Sequence, residues 1–167
     1  QPLLATILER PGKFDDPIAE YEIMFAADPR VTIPANNLAS LLSDYKKDPA
    51  SLDRAFEIAG RFRSTDVPQF QDTLGWIYYL RGDYAQAITL LKTAADKLPT
   101  VAAVQYHLGM AYKALGQKPL AVASLQKAIA TGKNQGFPQQ GQAQVALDQL
   151  ALPASTPPPT PTPTRPN

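Results

Sequence analysis

Apolar residues recur three and four positions apart along most of the chain, which is the period of an α-helix that packs on a core. Leu74, Ile77 and Tyr78 form one such set, and Ala87 and Leu91 belong to the next. The pattern predicts helices near 2–10, 16–27, 35–46, 50–63, 69–81, 84–97, 101–115, 118–131 and 138–151.

The helical segments repeat. A leucine followed by a small residue occurs at Leu4-Ala5, Leu38-Ala39, Leu74-Gly75 and Leu108-Gly109, so the leucines are 34, 36 and 34 positions apart. Self-similarity at this spacing is typical of a solenoid built from helix pairs. Each repeat is therefore predicted to be a helix, a tight turn and a second helix.

Glycines in the two clearest repeats have two predicted roles. Gly75 and Gly109 lack a Cβ, so the partner helix can approach where a larger side chain would overpack. We expect Ala87 and Ala121 to permit the same approach from the opposite helix. Gly82 and Gly116 lie between helical segments, where a helix end commonly needs a left-handed backbone.

The third repeat resembles the tetratricopeptide repeat family through its leucine-glycine pair, the tyrosine three residues later, a Gly-Asp-Tyr turn and a closing proline. The matching residues are Leu74, Gly75, Tyr78, Gly82, Asp83, Tyr84, Ala87, Ala94 and Pro99. The resemblance covers roughly residues 1–131 and implies an all-α, right-handed superhelical solenoid of antiparallel helix pairs. In place of the aromatic residue that often precedes the leucine, the chain has Gln71 and Gln105, and Pro17 stands where Ala87 and Ala121 stand.

The predicted organisation comprises about four repeats and a cap. The ranges are 1–30 for a first, truncated repeat, 31–67 for a second with a short insertion near 46–49, 68–101 for a third, 102–135 for a fourth, 136–152 for a Gln-rich capping helix and 153–167 for a Pro/Thr-rich tail. The apolar pattern begins almost at residue 1, so we expect further repeats to precede it. The tail should favour polyproline II, and it is either a linker or a ligand for an aromatic groove.

The resemblance implies that a partner binds on the concave face, which the first helix of each pair lines. Nine positions point away from the leucine-glycine core and form one stripe on each of three helices. They are Asn36, Ser40 and Ser43, then Asp72, Trp76 and Tyr79, then Tyr106, Met110 and Lys113.

The chemistry of the expected ligand follows from these side chains. Trp76, Tyr79, Tyr106 and Met110 are the types that dominate binding hot spots, although they equally suit packing against a neighbouring repeat. Asn36 is either a helix cap or a hydrogen-bonding group for a peptide backbone. Relatives that clamp a carboxylate use Lys and Asn, whereas the comparable residues here are Asn36, Ser40, Thr73, Ala103 and His107. An apolar, aromatic or proline-containing ligand is therefore favoured.

Catalysis and cofactor binding are disfavoured. The chain has one histidine, His107, and no cysteine, so a nucleophilic triad, a multi-histidine metal site and a disulfide are excluded. Asp15 and Asp16, before Pro17, are better explained as helix caps than as general acids. We expect no enzyme activity, cofactor or metal.

Charge is nearly balanced overall, with 16 basic and 15 acidic residues, which argues against nucleic acid as a partner. Residues 1–72 carry 8 basic and 12 acidic side chains and residues 73–167 carry 8 and 3, which gives a dipolar surface at most. No apolar run is long enough to span a bilayer, and the sequence is compatible with either the cytoplasm or the periplasm of a bacterium.

The leading hypothesis is a protein-binding or peptide-binding scaffold, and the alternative is a structural element that self-assembles through its N-terminal face or its tail.

Overall fold

A computed structural model describes residues 16–46 and 48–153, and it contains eight α-helices in these ranges. The helices are α1 (Pro17–Ala27), α2 (Thr32–Tyr45), α3 (Pro49–Ala59), α4 (Pro68–Leu80), α5 (Tyr84–Lys97), α6 (Ala102–Ala114), α7 (Lys118–Gly132) and α8 (Gln140–Ala151), with a 3₁₀ turn at Gly60–Phe62. The helix predicted near 2–10, the capping residue Asp15 and the tail from residue 154 onward lie outside the described residues.

Consecutive helices pack against each other along the whole described chain, and the pairs α2/α3, α4/α5 and α6/α7 are the most extensive contacts. The expected all-α array of antiparallel pairs is confirmed. The first helices of successive pairs, α2, α4 and α6, also approach one another, and α6 approaches α8. Among the described helices, the second members α3, α5 and α7 show no such approach to one another. A curved array is tightest on its inner side, so the first helices line that side.

Helix boundaries differ from the sequence prediction where prolines and loops intervene. α2 begins at Thr32, three residues before the predicted start, so Pro34 lies in the first helical turn. Proline is tolerated there because its missing N–H would have no partner in any case. The segment predicted as one helix to residue 63 ends as α3 at Ala59 and tightens into the 3₁₀ turn.

The turns within the third and fourth repeats are closed by left-handed glycines, as predicted. Gly82 has a φ of 85° and Gly116 a φ of 71°. After α4, the amide of Gly82 donates to the Tyr79 carbonyl and the amide of Asp83 to the Tyr78 carbonyl, both at 2.9 Å. These two bonds satisfy the last carbonyls of the helix and direct the chain back along it.

Close approach within the pairs occurs at the predicted glycines. A Cβ placed on Gly75 would lie 2.7 Å from Leu91 Cγ, and one on Gly109 would lie 2.8 Å from Leu125 Cγ. Both leucines are fully buried. The residues that face the glycines are thus Leu91 and Leu125, four positions after Ala87 and Ala121, and both alanines are also fully buried.

Buried glutamines replace the aromatic residue that the family usually places before the leucine. The Gln71 side-chain amide donates to the Thr65 carbonyl at 2.9 Å, and that of Gln105 donates to the Pro99 carbonyl at 3.5 Å. Each bond reaches six residues back to the linker that enters the repeat. The departure from the family pattern therefore holds the linker against the first helix.

Polar contacts also join the C-terminal end of each repeat to the linker that connects it with the preceding repeat. Lys97 Nζ donates to the Asp66 carbonyl at 2.8 Å, and Arg61 donates to the Pro29 carbonyl. After α7, the Gln135 amide donates to the Thr100 carbonyl at 2.5 Å. The same contact thus recurs at each step of the array with a different donor.

Alanine substitution at Gly109 tests the close approach. Because Leu125 is fully buried and its backbone nitrogen lies 3.2 Å from the new Cβ, Gly109→Ala should lower the free energy of unfolding by roughly 1–3 kcal/mol. Urea unfolding followed by circular dichroism measures the change.

Gly141→Ala in α8 is the matched control, since a Cβ there meets no atom within 4 Å. It should leave the free energy of unfolding unchanged or raise it slightly, because alanine favours helix over glycine. Equal losses in the two variants would contradict the packing explanation.

Candidate partner-binding face

Aromatic side chains from α4 and α6 stack on the inner side of the array. The Trp76 ring lies 4.5 Å from the Tyr79 ring with an interplanar angle of 12°, and 4.2 Å from the His107 imidazole with an angle of 20°. Trp76 is therefore held between a residue of its own helix and one of the next repeat. Such stacking contributes about 0.5–1.5 kcal/mol per pair beyond simple burial.

The stack continues toward the C-terminal end of the fold. Tyr106 lies 5.8 Å from Trp76 and meets Phe137, in the loop before α8, edge to face at 5.8 Å. We call Tyr79, Trp76, His107, Tyr106 and Phe137 the aromatic strip. The strip thus extends from α4 across α6 to the loop between α7 and α8.

His107 is anchored by a carboxylate of the preceding repeat. Its Nδ1 lies 2.8 Å from Asp72 Oδ1, and the imidazole is buried. Its Nε2 is buried without a hydrogen-bond partner among the described residues. His107 is thus a packed helix residue, and the bond to Asp72 fixes the ring that stacks on Trp76.

Burial affects the phenols of the strip. It raises the pKa of Tyr106, with smaller contributions from Tyr79 and the negative charge of Asp44, and it raises the pKa of Tyr79 in the same way. Both phenols therefore stay neutral to a higher pH than an exposed tyrosine. The concave face offers hydroxyl groups and apolar rings here, not phenolate charge.

The predicted residues of α2 are less accessible than those of α4. Asn36 and Ser43 are buried, and the Ser43 hydroxyl donates to the Ser40 carbonyl of its own helix at 2.8 Å. Asn36 lies inside α2, whose N-cap position is Val31, so the capping interpretation of Asn36 is wrong. Ser40 is half-buried and belongs to the same stripe.

The predicted residues of α4 and α6 share one surface. Asp72, Trp76 and Tyr79 are half-buried, as are Met110 and Lys113 on α6. Tyr106 is the exception on this side, because only 6% of it is exposed. Of the nine predicted positions, those on α4 and α6 are brought together and those on α2 contribute little accessible surface.

A cleft opens between α6 and α8 at the end of the aromatic strip, with a volume of about 510 Å³. Tyr106 and Met110 form its α6 side, and the α8 side is formed by Gly141, Gln142, Val145, Ala146 and Gln149. None of the described residues that line it is charged. The cleft is therefore an apolar depression whose α8 side carries two glutamine amides.

Sequence reasoning missed the α8 side of this cleft. The Gln-rich composition of residues 136–152 predicts a solvent-facing cap, whereas Val145 on this helix is 55% exposed and lines the cleft. Ala143 and Ala146 are the residues that α8 buries. The available signal was the position of Val145, two residues after Ala143 and one before Ala146, because a residue at this spacing lies off the stripe that the two alanines form.

Other chemistry is not assembled in the part of the chain that the structure describes. No group of three or more His, Cys, Asp or Glu side chains there is arranged to hold a metal ion. No helix in the same ranges has the length and apolar character needed to cross a membrane.

Comparison with known proteins identifies the repeat. Residues 78–145 match the family described as "Tetratricopeptide repeat". The matching segment runs from the last turn of α4 into α8 and carries the similarity to this family. A solved structure titled "MamA MSR-1 C2" aligns with 81% of this chain and 91% of its own at 21% identity, with a TM-score of 0.49. No curated protein matches the chain.

Tetratricopeptide arrays serve in general as scaffolds for protein–protein interaction. The inner positions of this array differ from a carboxylate clamp in a way the structure explains. His107 is committed to Asp72 and Trp76, and the neighbouring Thr73 donates to the Gln69 carbonyl of its own helix at 3.1 Å. Neither side chain is available to hold a terminal carboxylate.

Removal of the Asp72 carboxylate tests the anchor of the strip. Asp72→Ala leaves His107 Nδ1 buried without its partner, so the free energy of unfolding should fall by about 1–3 kcal/mol. Trp76 is the only tryptophan, so its emission should also shift as the imidazole loses its fixed position.

Asp53→Ala is the control, because Asp53 also pairs across helices, with Arg81, but is 70% exposed. Exposed pairs contribute little, so this variant should change both unfolding and Trp76 emission much less. A larger effect from Asp53→Ala would show that burial does not determine the strength of the pair.

Proposed function

We propose that the chain is an interaction module that binds an extended, largely apolar peptide segment of a partner protein along the inner face of α4 and α6. The observation that carries the proposal is the aromatic strip, which runs across successive repeats and leads into an open apolar cleft. Tyr79, Trp76 and Met110 keep part of their surface accessible. Rigid aromatic side chains of this kind give large contact area at low entropic cost.

The polar groups of the face favour an uncharged or weakly charged ligand. The Asp72 carboxylate is engaged by His107, and Gln142 and Gln149 at the cleft are neutral donors and acceptors. Lys113 is the one basic residue of the predicted set. A proline-containing or aromatic segment fits this surface better than an acidic terminus, and we expect neither a cofactor nor catalysis.

Self-assembly is the alternative function, and exposed apolar residues near the N-terminal end of the described chain favour it. Ile33 is 64% exposed, Met24 49% and Ile23 46%. A second copy that packs on this end of the described chain would cover these side chains. Sedimentation of the chain over a range of concentrations distinguishes the alternatives, because self-assembly requires a mass that rises with concentration and binding to a separate partner does not.

Peptides selected from a random displayed library provide the direct test of the inner face. Binding of the selected peptides, followed by Trp76 fluorescence, should weaken at least tenfold in Tyr79→Ala and in Met110→Ala. A tenfold loss corresponds to about 1.4 kcal/mol, which is within the range expected for hot-spot residues.

Lys92→Ala on the exposed side of α5 is the control variant and should bind the same peptides with unchanged affinity. Circular dichroism verifies that each variant is folded. Loss of binding in Lys92→Ala with full binding in the two inner-face variants would place the site on the outer face and refute the proposal.

A further inference from the structure

The cleft between α6 and α8 has the shape and chemistry of a groove for an extended chain. Its floor is apolar, with Tyr106 and Ala146 almost fully buried, and Val145 stands at its edge with half its surface exposed. At Gly141 the missing side chain leaves open space, since a Cβ there would meet no atom of the described residues within 4 Å. A ligand can therefore approach the α8 backbone at this end of the cleft.

Glutamine amides are the polar groups that α8 adds to the cleft. Gln142 and Gln149 are both exposed, and their NH₂ groups can donate hydrogen bonds. A helical ligand would satisfy its own carbonyls, whereas a polyproline II segment has no internal hydrogen bonds and presents all of its carbonyls. Grooves that bind such segments combine an aromatic surface with donors of this kind. The cleft thus suits an uncharged polyproline II ligand.

The chain itself contains a segment of this chemistry a few residues after α8. Residues 157–163 read Pro-Pro-Pro-Thr-Pro-Thr-Pro and carry no charge. α8 ends at Ala151, and its 12 residues span about 18 Å at 1.5 Å per residue. Seven residues of polyproline II span about 22 Å at 3.1 Å per residue. Residues 153–156 remain to reverse the direction of the chain.

We propose that residues 157–163 fold back antiparallel to α8 and occupy the cleft between α6 and α8 of the same chain. The proximity of tail and cleft raises the effective concentration to the millimolar range, so a weak groove is sufficient. A partner that binds the inner face near Met110 then has to displace the tail. The competition between tail and partner rests on the proposed function, whereas the occupation of the cleft by the tail does not.

Energy transfer from Trp76 to the tail tests the proposal in the full chain. The chain has one tryptophan and no cysteine, so Thr164→Cys labelled with an acceptor dye gives a single donor–acceptor pair. Trp76 contacts Tyr106 at the cleft, so a docked tail holds the acceptor near the donor. The expected result is efficient transfer that is lost when Gly141→Leu fills the cleft.

Gln144→Leu is the matched control, since it adds a leucine to the same helix at an exposed position outside the cleft, and it should retain the transfer. Gln149→Glu is a second cleft variant that replaces an amide donor with a carboxylate, and it should reduce the transfer without adding bulk. Equal transfer in the parent chain, Gly141→Leu and Gln149→Glu would overturn the proposal. Circular dichroism verifies the fold of each variant.

Dilution and mixing distinguish the chain's own tail from that of a second copy. Transfer within one chain is independent of protein concentration and of added unlabelled protein, whereas transfer that falls on either treatment would overturn the proposal in favour of self-assembly. If library peptides bind the inner face but energy transfer is the same in the parent chain and in the cleft variants, the tail inference is refuted and the proposed function stands. If energy transfer falls in the cleft variants but the chain binds no peptide, the proposed function is refuted and the tail inference stands.

Discussion

The contact between a glycine of one helix and a leucine of its partner is the constraint on which this fold depends. Gly75 faces Leu91 and Gly109 faces Leu125, in both cases at a distance that leaves no room for a Cβ. This approach brings the two helices of a pair together closely enough to exclude water from their common core. It also fixes how α4 and α6 are rotated, and that rotation turns Trp76 and Met110 toward the inner side.

Much of the fold follows from short-range sequence signals. The 34-residue register, the glycine turns and the proline positions are local features, and each has a direct backbone consequence that does not depend on distant residues. Gly82 and Gly116 needed a left-handed backbone, and they have one. The predicted start of α2 at residue 35 is three residues late, because Pro34 occupies a tolerated position within the first turn.

The candidate site was less predictable because it depends on contacts between repeats. The family resemblance and the helical period together predicted that Trp76 and Tyr79 share the inner stripe of their helix, but they gave no indication that His107 would stack on Trp76 or that Asp72 would bind the imidazole. The stacking contact joins positions 31 residues apart in the sequence, and the bond to Asp72 joins positions 35 residues apart. The α8 wall of the cleft was missed for the same reason, since the exposure of Val145 depends on how α8 sits against α6. The orientation of α8 against α6 cannot be inferred from composition alone.

The glutamine bonds to the linkers have a geometric consequence for the array as a whole. Gln71 and Gln105 each fasten a first helix to the chain segment that enters it, and they do so at the joint where one pair meets the next. In a solenoid, the rotation at each joint is added to all those before it. A small adjustment at one glutamine is therefore amplified along the array and changes the radius of the whole inner surface. Two buried side-chain amides that do not line the inner surface thus contribute to its curvature.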